Sequence, residues 1–226
     1  MTLTDTPIAV LGTGMVGTTI ATKLVELGHR VTLGTRTPDN PKAQAWLAAV
    51  ASERAAVASF SDAARAAELV FNCTAGVASL EALRLAGAEA LAGKILIDVS
   101  NPLDFSHGMP PRLSVCNDDS LGEQIQAAFP ETKVVKTLNT ISAPLMVDPR
   151  SLAGDHVVFV SGDDADAKRF VTQELLRDAF GWPEVIDLGG IATARGTEMY
   201  LPLWLRLWGA LGTAQFNLAI VRGRDS

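Results

Sequence analysis

Apolar residues run along this chain in short unbroken stretches, with amphipathic segments between them. Ile8–Leu11, Arg30–Gly34, Glu68–Cys73, Lys94–Val99, Lys133–Leu138, His156–Ser161 and Glu184–Leu188 read as strands, with a shorter one near 56–58. Helical spacing covers Met15–Leu27, Pro41–Ser52, Ser61–Ala67, Gly76–Ala86, a segment from Asp119 or Ser120 to Phe129, and Asp163–Phe180. Continuous apolar runs predict strands covered on both faces, and helices between them predict parallel crossovers. The punctuation agrees. Gly28 follows the first helix as a C′ glycine, Pro41 opens the second, and Ser61 or Asp62 caps the third. A long loop runs through Phe105, His107, Pro110 and Pro111.

The pattern changes at Gly189-Gly190, read as a hinge. The tail beyond it carries Leu201, Trp204, Leu205 and Trp208 on one apolar side. Such a stripe is core, a dimer interface, or the wall of an apolar substrate cleft. The expectation is an α/β fold of Rossmann type, with a doubly wound, mostly parallel sheet over residues 1–188. A small C-terminal helical element, residues 189–226, packs over it.

The most informative stretch is Ile8 to Gly17. A buried strand runs into Gly12-Thr13-Gly14-Met15-Val16-Gly17, the G-x-G-x-x-G spacing, and then into a helix. Gly12 allows the tight turn, Gly14 lets backbone approach a pyrophosphate, and Gly17 lets the helix close on the strand. The helix N-terminus supplies free N–H groups and a positive dipole end for the anion. In such sheets ligands sit beyond the carboxyl ends of the strands. That selects Gly12–Gly17, Thr35–Thr37, Cys73–Gly76, Ser100–Leu103 and Asn139–Thr140.

The end of the second strand sets the nucleotide. NAD-preferring folds place an acid there, about 20 residues past the glycines. This chain has Thr35-Arg36-Thr37. Arginine offers a planar, permanently charged fork that suits a 2′-phosphate, so NADP(H) is expected over NAD(H). Lys42 lies close enough in sequence to assist. Composition narrows the partners further. The net charge of −6 and the lack of a Lys/Arg run argue against nucleic acid. Cys73 and Cys116 form neither a metal spacing nor a disulfide framework, and no signal peptide precedes Ile8. A cytoplasmic protein with reduced thiols is expected. The apolar run 199–212 is too short to span a bilayer.

Taken together, the glycine turn, Thr35-Arg36, Asn101-Pro102, Lys136-Thr137-Leu138-Asn139-Thr140 and Gly189-Gly190…Ala194-Arg195…Glu198 resemble the coenzyme F420-dependent NADP oxidoreductases. The resemblance covers almost the whole chain. It implies hydride transfer between NADP(H) and a deazaflavin. It puts the pyrophosphate at Thr13–Val16 and the 2′-phosphate at Thr35 and Arg36, with Asn40 or Lys42 near the family's second basic position. Cys73, Thr74 and Ala75 would line the ribose and nicotinamide side. Ser100, Asn101, Pro102, Asn139 and Thr140 would border the nicotinamide and the acceptor ring, and the tail from Ile191 would help close the cleft. The loop 104–115 and Trp204/Trp208 match no deazaflavin contact.

Hydride transfer between two assembled rings depends on proximity and orientation, and no side chain is nominated as catalytic and none as a metal ligand. His29 and His156 are assigned to the end of the sheet remote from the cofactor, and His107 to the loop over the site. Cys73 reads as a small residue allowing close ring approach. Asp98 reads as a buried, satisfied carboxylate, and Glu198 as a tail ion-pair partner of Arg195 at i,i+3. Two other functions stay open. One is NADPH-dependent reduction of a flavin, imine, carbonyl or ferric iron. The other is a non-catalytic NADP(H)-binding redox sensor. The apolar tail makes a homodimer the expected assembly.

Overall fold

The computed structural model describes residues 2–223. The first residue of the expected main unit and the last three of the tail, 224–226, lie outside the described residues. Among the described residues, eight strands form one sheet in the order β3-β2-β1-β4-β5-β8-β9-β10. These are β1 (Ile8–Leu11), β2 (Val31–Thr35), β3 (Ala55–Ser59), β4 (Leu69–Asn72), β5 (Ile95–Asp98), β8 (Lys133–Thr137), β9 (Val157–Ser161) and β10 (Glu184–Asp187). The six strands from β3 to β8 are parallel.

Alternation along each buried strand splits the core into two. Ile8, Val10, Phe71, Ile97 and Val135 face α1 (Met15–Glu26), α2 (Pro41–Val50), α7 (Ala143–Val147) and α8 (Ala165–Phe170). Ala9, Leu11, Val70, Leu96 and Val134 face α3 (Phe60–Ala66), α4 (Gly76–Ala86), α5 (Ala88–Leu91) and α6 (Leu121–Ala128). Helices therefore cover both faces, as the continuous apolar runs require.

Several local expectations are revised. Thr35 belongs to β2. Ser59, not Ser61 or Asp62, caps α3, because its hydroxyl accepts from the Asp62 N–H at 3.1 Å. The loop after β5 contains a short antiparallel hairpin, β6 (Leu103–Asp104) with β7 (Arg112–Leu113). The helix expected over Asp163–Phe180 is α-helical only to Phe170. It continues as a π-helix over Val171–Ala179, and Phe180 N–H donates back five residues to Leu175.

The larger revision concerns direction. β9 pairs antiparallel with β8, Thr137 opposite Val160, and β10 follows β9 in parallel. The amino end of β9 thus lies at the level of the carboxyl ends of the six parallel strands. His156, assigned to the remote end, sits at the site end instead. It is buried there, with Nε2 against the Pro149 carbonyl at 2.9 Å and Nδ1 against Asn217 at 2.9 Å. His29 does lie in the α1–β2 turn, buried.

The tail beyond Gly189 also behaves differently from a uniform cover. Ile191 and Ala194 enter the core beside α6, and α9 (Ala194–Met199) packs on that helix. In α10 (Leu201–Leu211), however, only Leu201 is buried, and Leu203, Trp208 and Leu211 are exposed. The segment after α10 turns back, and Val157 N–H donates to the Leu218 carbonyl.

Candidate functional site

Strand order reverses between β1 and β4, since β1 leads outward to β2 and β4 to β5. A cleft opens beyond the carboxyl ends there, the position expected for a ligand in a doubly wound sheet. It has two lobes that share Cys73, Thr74 and Ala75.

The first lobe, about 310 Å³, is lined by Gly12, Thr13, Gly14, Thr35, Arg36 and Asn40 among others. Its geometry follows from the glycines. Gly12 has φ +122°, a left-handed value that disfavours a side chain, and a Cβ there would lie 2.6 Å from the Cys73 carbonyl oxygen. A Cβ on Gly17 would lie 2.0 Å from the Gly12 carbonyl oxygen. A Cβ on Gly14 would meet no protein atom within 4 Å. Gly14 is the N-cap of α1 and no side chain caps that end. The first N–H groups of α1 therefore face open space that a Cβ at Gly14 would intrude upon, which fits a pyrophosphate. Arg36 is largely exposed, with only a loose 4.0 Å approach to Glu81, so its guanidinium is free for an anion. Asn40 is committed to capping α2, its Oδ1 accepting from Lys42 and Ala43 N–H.

The second lobe, about 420 Å³, is bounded by Val16, Gly76, Val77, Ser100, Asn101 and Phe105. Here α4 presses on the turn after β5, and a Cβ on Gly76 would lie 1.9 Å from the Asn101 carbonyl oxygen. Asn101 and Asn139 exchange hydrogen bonds, Nδ2 to the Asn139 carbonyl at 2.8 Å and Asn139 Nδ2 to Asn101 Oδ1 at 3.0 Å. Leu138, buried at the end of β8 with φ +63°, holds the left-handed turn just before Asn139. Asn139, Thr140 and Pro102 are buried behind the lobe wall, Met15 is exposed at the α1 N-terminus, and His107 is exposed in the hairpin loop. Cys73 lies between the lobes. Burial, and next the Asp98 charge, raise its thiol pKa far above the ordinary value. A raised pKa favours the neutral thiol over the nucleophilic thiolate.

Beneath this floor lies a polar cluster that sequence reading assigned only in part. Asp98 accepts from Asn72 Nδ2 at 2.8 Å and Ser100 Oγ at 2.7 Å through Oδ1, and from Lys136 Nζ at 2.8 Å through Oδ2. Lys136 also donates to the Ser100 carbonyl at 2.6 Å and contacts Glu198 Oε1 at 2.7 Å. Burial opposes the charge on Lys136, but Asp98 and Glu198 outweigh it and raise its pKa above the ordinary lysine value. Asp98 is thus the satisfied buried carboxylate expected. Glu198 is not a partner of Arg195, which binds Glu123 instead at 2.6 and 2.8 Å. On α9 the two side chains point to different neighbours. Glu198 turns inward to accept from the Leu121 and Gly122 N–H groups at the start of α6. Lys136 entered the sequence analysis only as the first residue of the Lys136–Thr140 motif, with no role or partner assigned.

A larger hollow of about 560 Å³ opens near the amino end of β8, lined by Glu123, Glu131, Asp163 and Asp164 around Lys133. Its acidic lining repels phosphate.

The chain is similar to several known proteins. The family model "NADP oxidoreductase coenzyme F420-dependent" matches residues 7–102. A crystal structure from Arthrobacter sp. FB24, assigned to the F420-dependent NADP reductases, is 59% identical with a TM-score of 0.91, covering 96% of this chain and 100% of that one. The F420-dependent NADP reductase of Methanothermobacter marburgensis is 29% identical over 88% of this chain and 91% of its own length. Metalloreductase STEAP3 of Rattus norvegicus is 34% identical over 87% of this chain, which spans only 37% of that protein's length. A reductive aminase from Aspergillus terreus, 17% identical with a TM-score of 0.62 over 92% of this chain and 63% of that one, shares the fold.

Proposed function

The chain belongs to the coenzyme F420-dependent NADP oxidoreductase family, and from that premise we propose that it transfers a hydride between NADP(H) and a planar redox acceptor, with the deazaflavin F420 the foremost candidate. The observation that carries the reading is the uncapped start of α1 sharing one lobe with Thr35 and Arg36. That lobe would take the pyrophosphate at Thr13–Val16 and the 2′-phosphate at Thr35–Arg36. The nicotinamide would then extend toward the second lobe, beside Cys73, Ala75, Ser100 and Asn101. Exposed Val77 and Phe105 give that lobe an apolar rim suited to a flat ring.

NADPH, when bound, supplies a hydride from C4 of its nicotinamide. The protein's own contribution is orientation. The Asn101–Asn139 pair and the Lys136 bond to the Ser100 carbonyl hold the turn that walls the ring side. Cys73 leaves room for close approach without reacting. Placement of this kind is worth many powers of ten in rate without acid–base groups.

The test is NADPH with oxidised F420, following loss of the deazaflavin's visible absorbance. Loss of that band supports the reading. Tight NADPH binding without it leaves a nucleotide-binding protein with another acceptor or none. Arg36→Ala should weaken NADPH binding about ten- to hundredfold, the worth of a charge-assisted pair, and leave NADH binding little changed. Equal losses would sink the 2′-phosphate assignment. A second reading, with electrons ending on ferric iron, is favoured by the 34% identity to a metalloreductase. A ferric chelate in place of F420 tests it.

The same reading takes the protein as a homodimer joined through α10, whose exposed Leu203, Trp208 and Leu211 are an unusual cost for a helix left in water. Light scattering should give twice the 23.8 kDa chain mass. A monomer at high concentration refutes it.

A further inference from the structure

The Asp98–Lys136–Glu198 cluster has unequal charge. Every described polar partner of the two carboxylates is a donor. Asp98 accepts from Asn72 Nδ2, from Ser100 N–H and Oγ, and from Lys136. Glu198 accepts from Leu121 N–H, from Gly122 N–H and from Lys136. An acceptor-only role is that of the ionised carboxylate. Lys136 spends its three N–H bonds on three oxygens, Asp98 Oδ2, the Ser100 carbonyl and Glu198 Oε1, which is the role of the ammonium. Two anions against one cation leave one negative charge. All three side chains are at most 2% exposed, and no other charged side chain is bonded to the cluster among the described residues. The partial positive end of α6 offsets it only in part.

The charge also has a definite address. Asp98 ends β5, Lys136 stands opposite it in β8, and Asp98 bonds directly to Ser100. Ser100 lines the second lobe. Buried charge is screened little by salt.

We propose that this cluster presents net negative charge to the nicotinamide and makes the protein hold NADP+ more tightly, relative to NADPH, than it would without that charge. The inference rests on the proposed NADP(H) site and adds a direction to it. The oxidised nicotinamide ring is a cation and the reduced ring is neutral. When a hydride, with its electron pair, leaves C4 of the dihydronicotinamide and forms a new C–H bond on the acceptor ring, the nicotinamide becomes positive and the acceptor is reduced. A negative floor favours that product. The site is biased to spend NADPH and reduce the acceptor.

The experiment is a pair of binding titrations, NADP+ and NADPH, on the wild-type chain and on Glu198→Gln and Asp98→Asn. Both substitutions keep side-chain size and remove one negative charge. A unit charge acting across roughly 10–15 Å at an effective dielectric near 20 shifts such an equilibrium about six- to seventeenfold. The ratio Kd(NADP+)/Kd(NADPH) should rise by that factor in each variant. A ratio unchanged while both affinities fall together marks a merely structural role and overturns the proposal. A wild-type chain that prefers NADPH by tenfold or more overturns the bias toward spending NADPH, whether or not the variants fold. A wild-type chain that binds neither nucleotide removes the proposed function itself and, with it, this inference.

Discussion

Two glycines of the cleft should respond to the same substitution in opposite ways. In Gly76→Ala the new Cβ would lie 1.9 Å from the Asn101 oxygen, 2.5 Å from its carbonyl carbon and 3.0 Å from Pro102 Cα. The obstacle is backbone, so no side chain can swing aside. Reaching even a 3.0 Å contact needs about 1.1 Å of movement of α4 or of the Ser100–Pro102 turn. Overpacking of this kind costs about 1–3 kcal/mol, and in a chain of this size that lowers Tm by about 2–12 °C. The displaced turn walls the second lobe, and a misplacement near 1 Å is worth about a hundredfold in rate. In Gly14→Ala the Cβ meets no protein atom within 4 Å and the backbone, φ −77°, is one that alanine adopts freely. Tm should hold or rise slightly through the unfolded state, while NADPH affinity falls on the order of tenfold or more because the Cβ occupies the pyrophosphate's approach. Differential scanning calorimetry and an NADPH fluorescence titration read both quantities on both variants. A Gly14→Ala protein that binds NADPH like wild type would refute the placement of the pyrophosphate. A Gly76→Ala protein with unchanged Tm would refute the close packing of α4 on the turn.

Other outcomes follow from the ion pairs. Lys136→Met leaves Asp98 and Glu198 buried without their shared cation, and breaking such a pair costs about 3–5 kcal/mol, measurable as a lower urea midpoint. The folded-state pKa of Lys136 is raised. Its contribution is therefore complete below the unfolded lysine value and is lost only as pH rises through the folded one. The gap between wild type and variant should stay level from about pH 7 to 10 and narrow above that range. Glu123 behaves in the opposite sense. The hydrogen bond from Arg195 leads the causes that lower its pKa. Its contribution is present above the ordinary glutamate value and fades as pH falls through the lower folded one. Wild type and Glu123→Gln should converge in stability below about pH 4, and a constant gap down to pH 2 would remove the ion pair as its source.

Much of the site is legible from residue order because its parts are local. The Gly12–Gly17 turn, the α1 that follows it and Thr35-Arg36 at the end of β2 need only neighbours a few residues away. Their chemistry, a turn, a free helix end and a charged fork, is written into those short segments. Apolar run length reports burial on both faces in the same way, and so the layered sheet is readable.

What the chain alone determined is therefore the glycine turn, the Thr35-Arg36 pair at the end of β2, the strand runs and the mostly parallel α/β architecture. These depend on backbone freedom, side-chain charge and periodicity over a few residues. The tertiary structure alone decided that β9 turns against β8, which moves His156 to the site end. It also decided that Asn101 meets Asn139, that Gly76 presses on Asn101, and that Glu198 leaves Arg195 for Lys136 and the start of α6. These partners stand from 23 to 77 residues apart, and the polar ones are chosen by which buried group most needs a partner once the layers close. An isolated buried charge is too costly to leave unpaired. Lys136 sits buried in β8, where Asp98 beside it and Glu198 from the returning tail are the charged groups that reach it among the described residues, and the Ser100 carbonyl takes its third N–H.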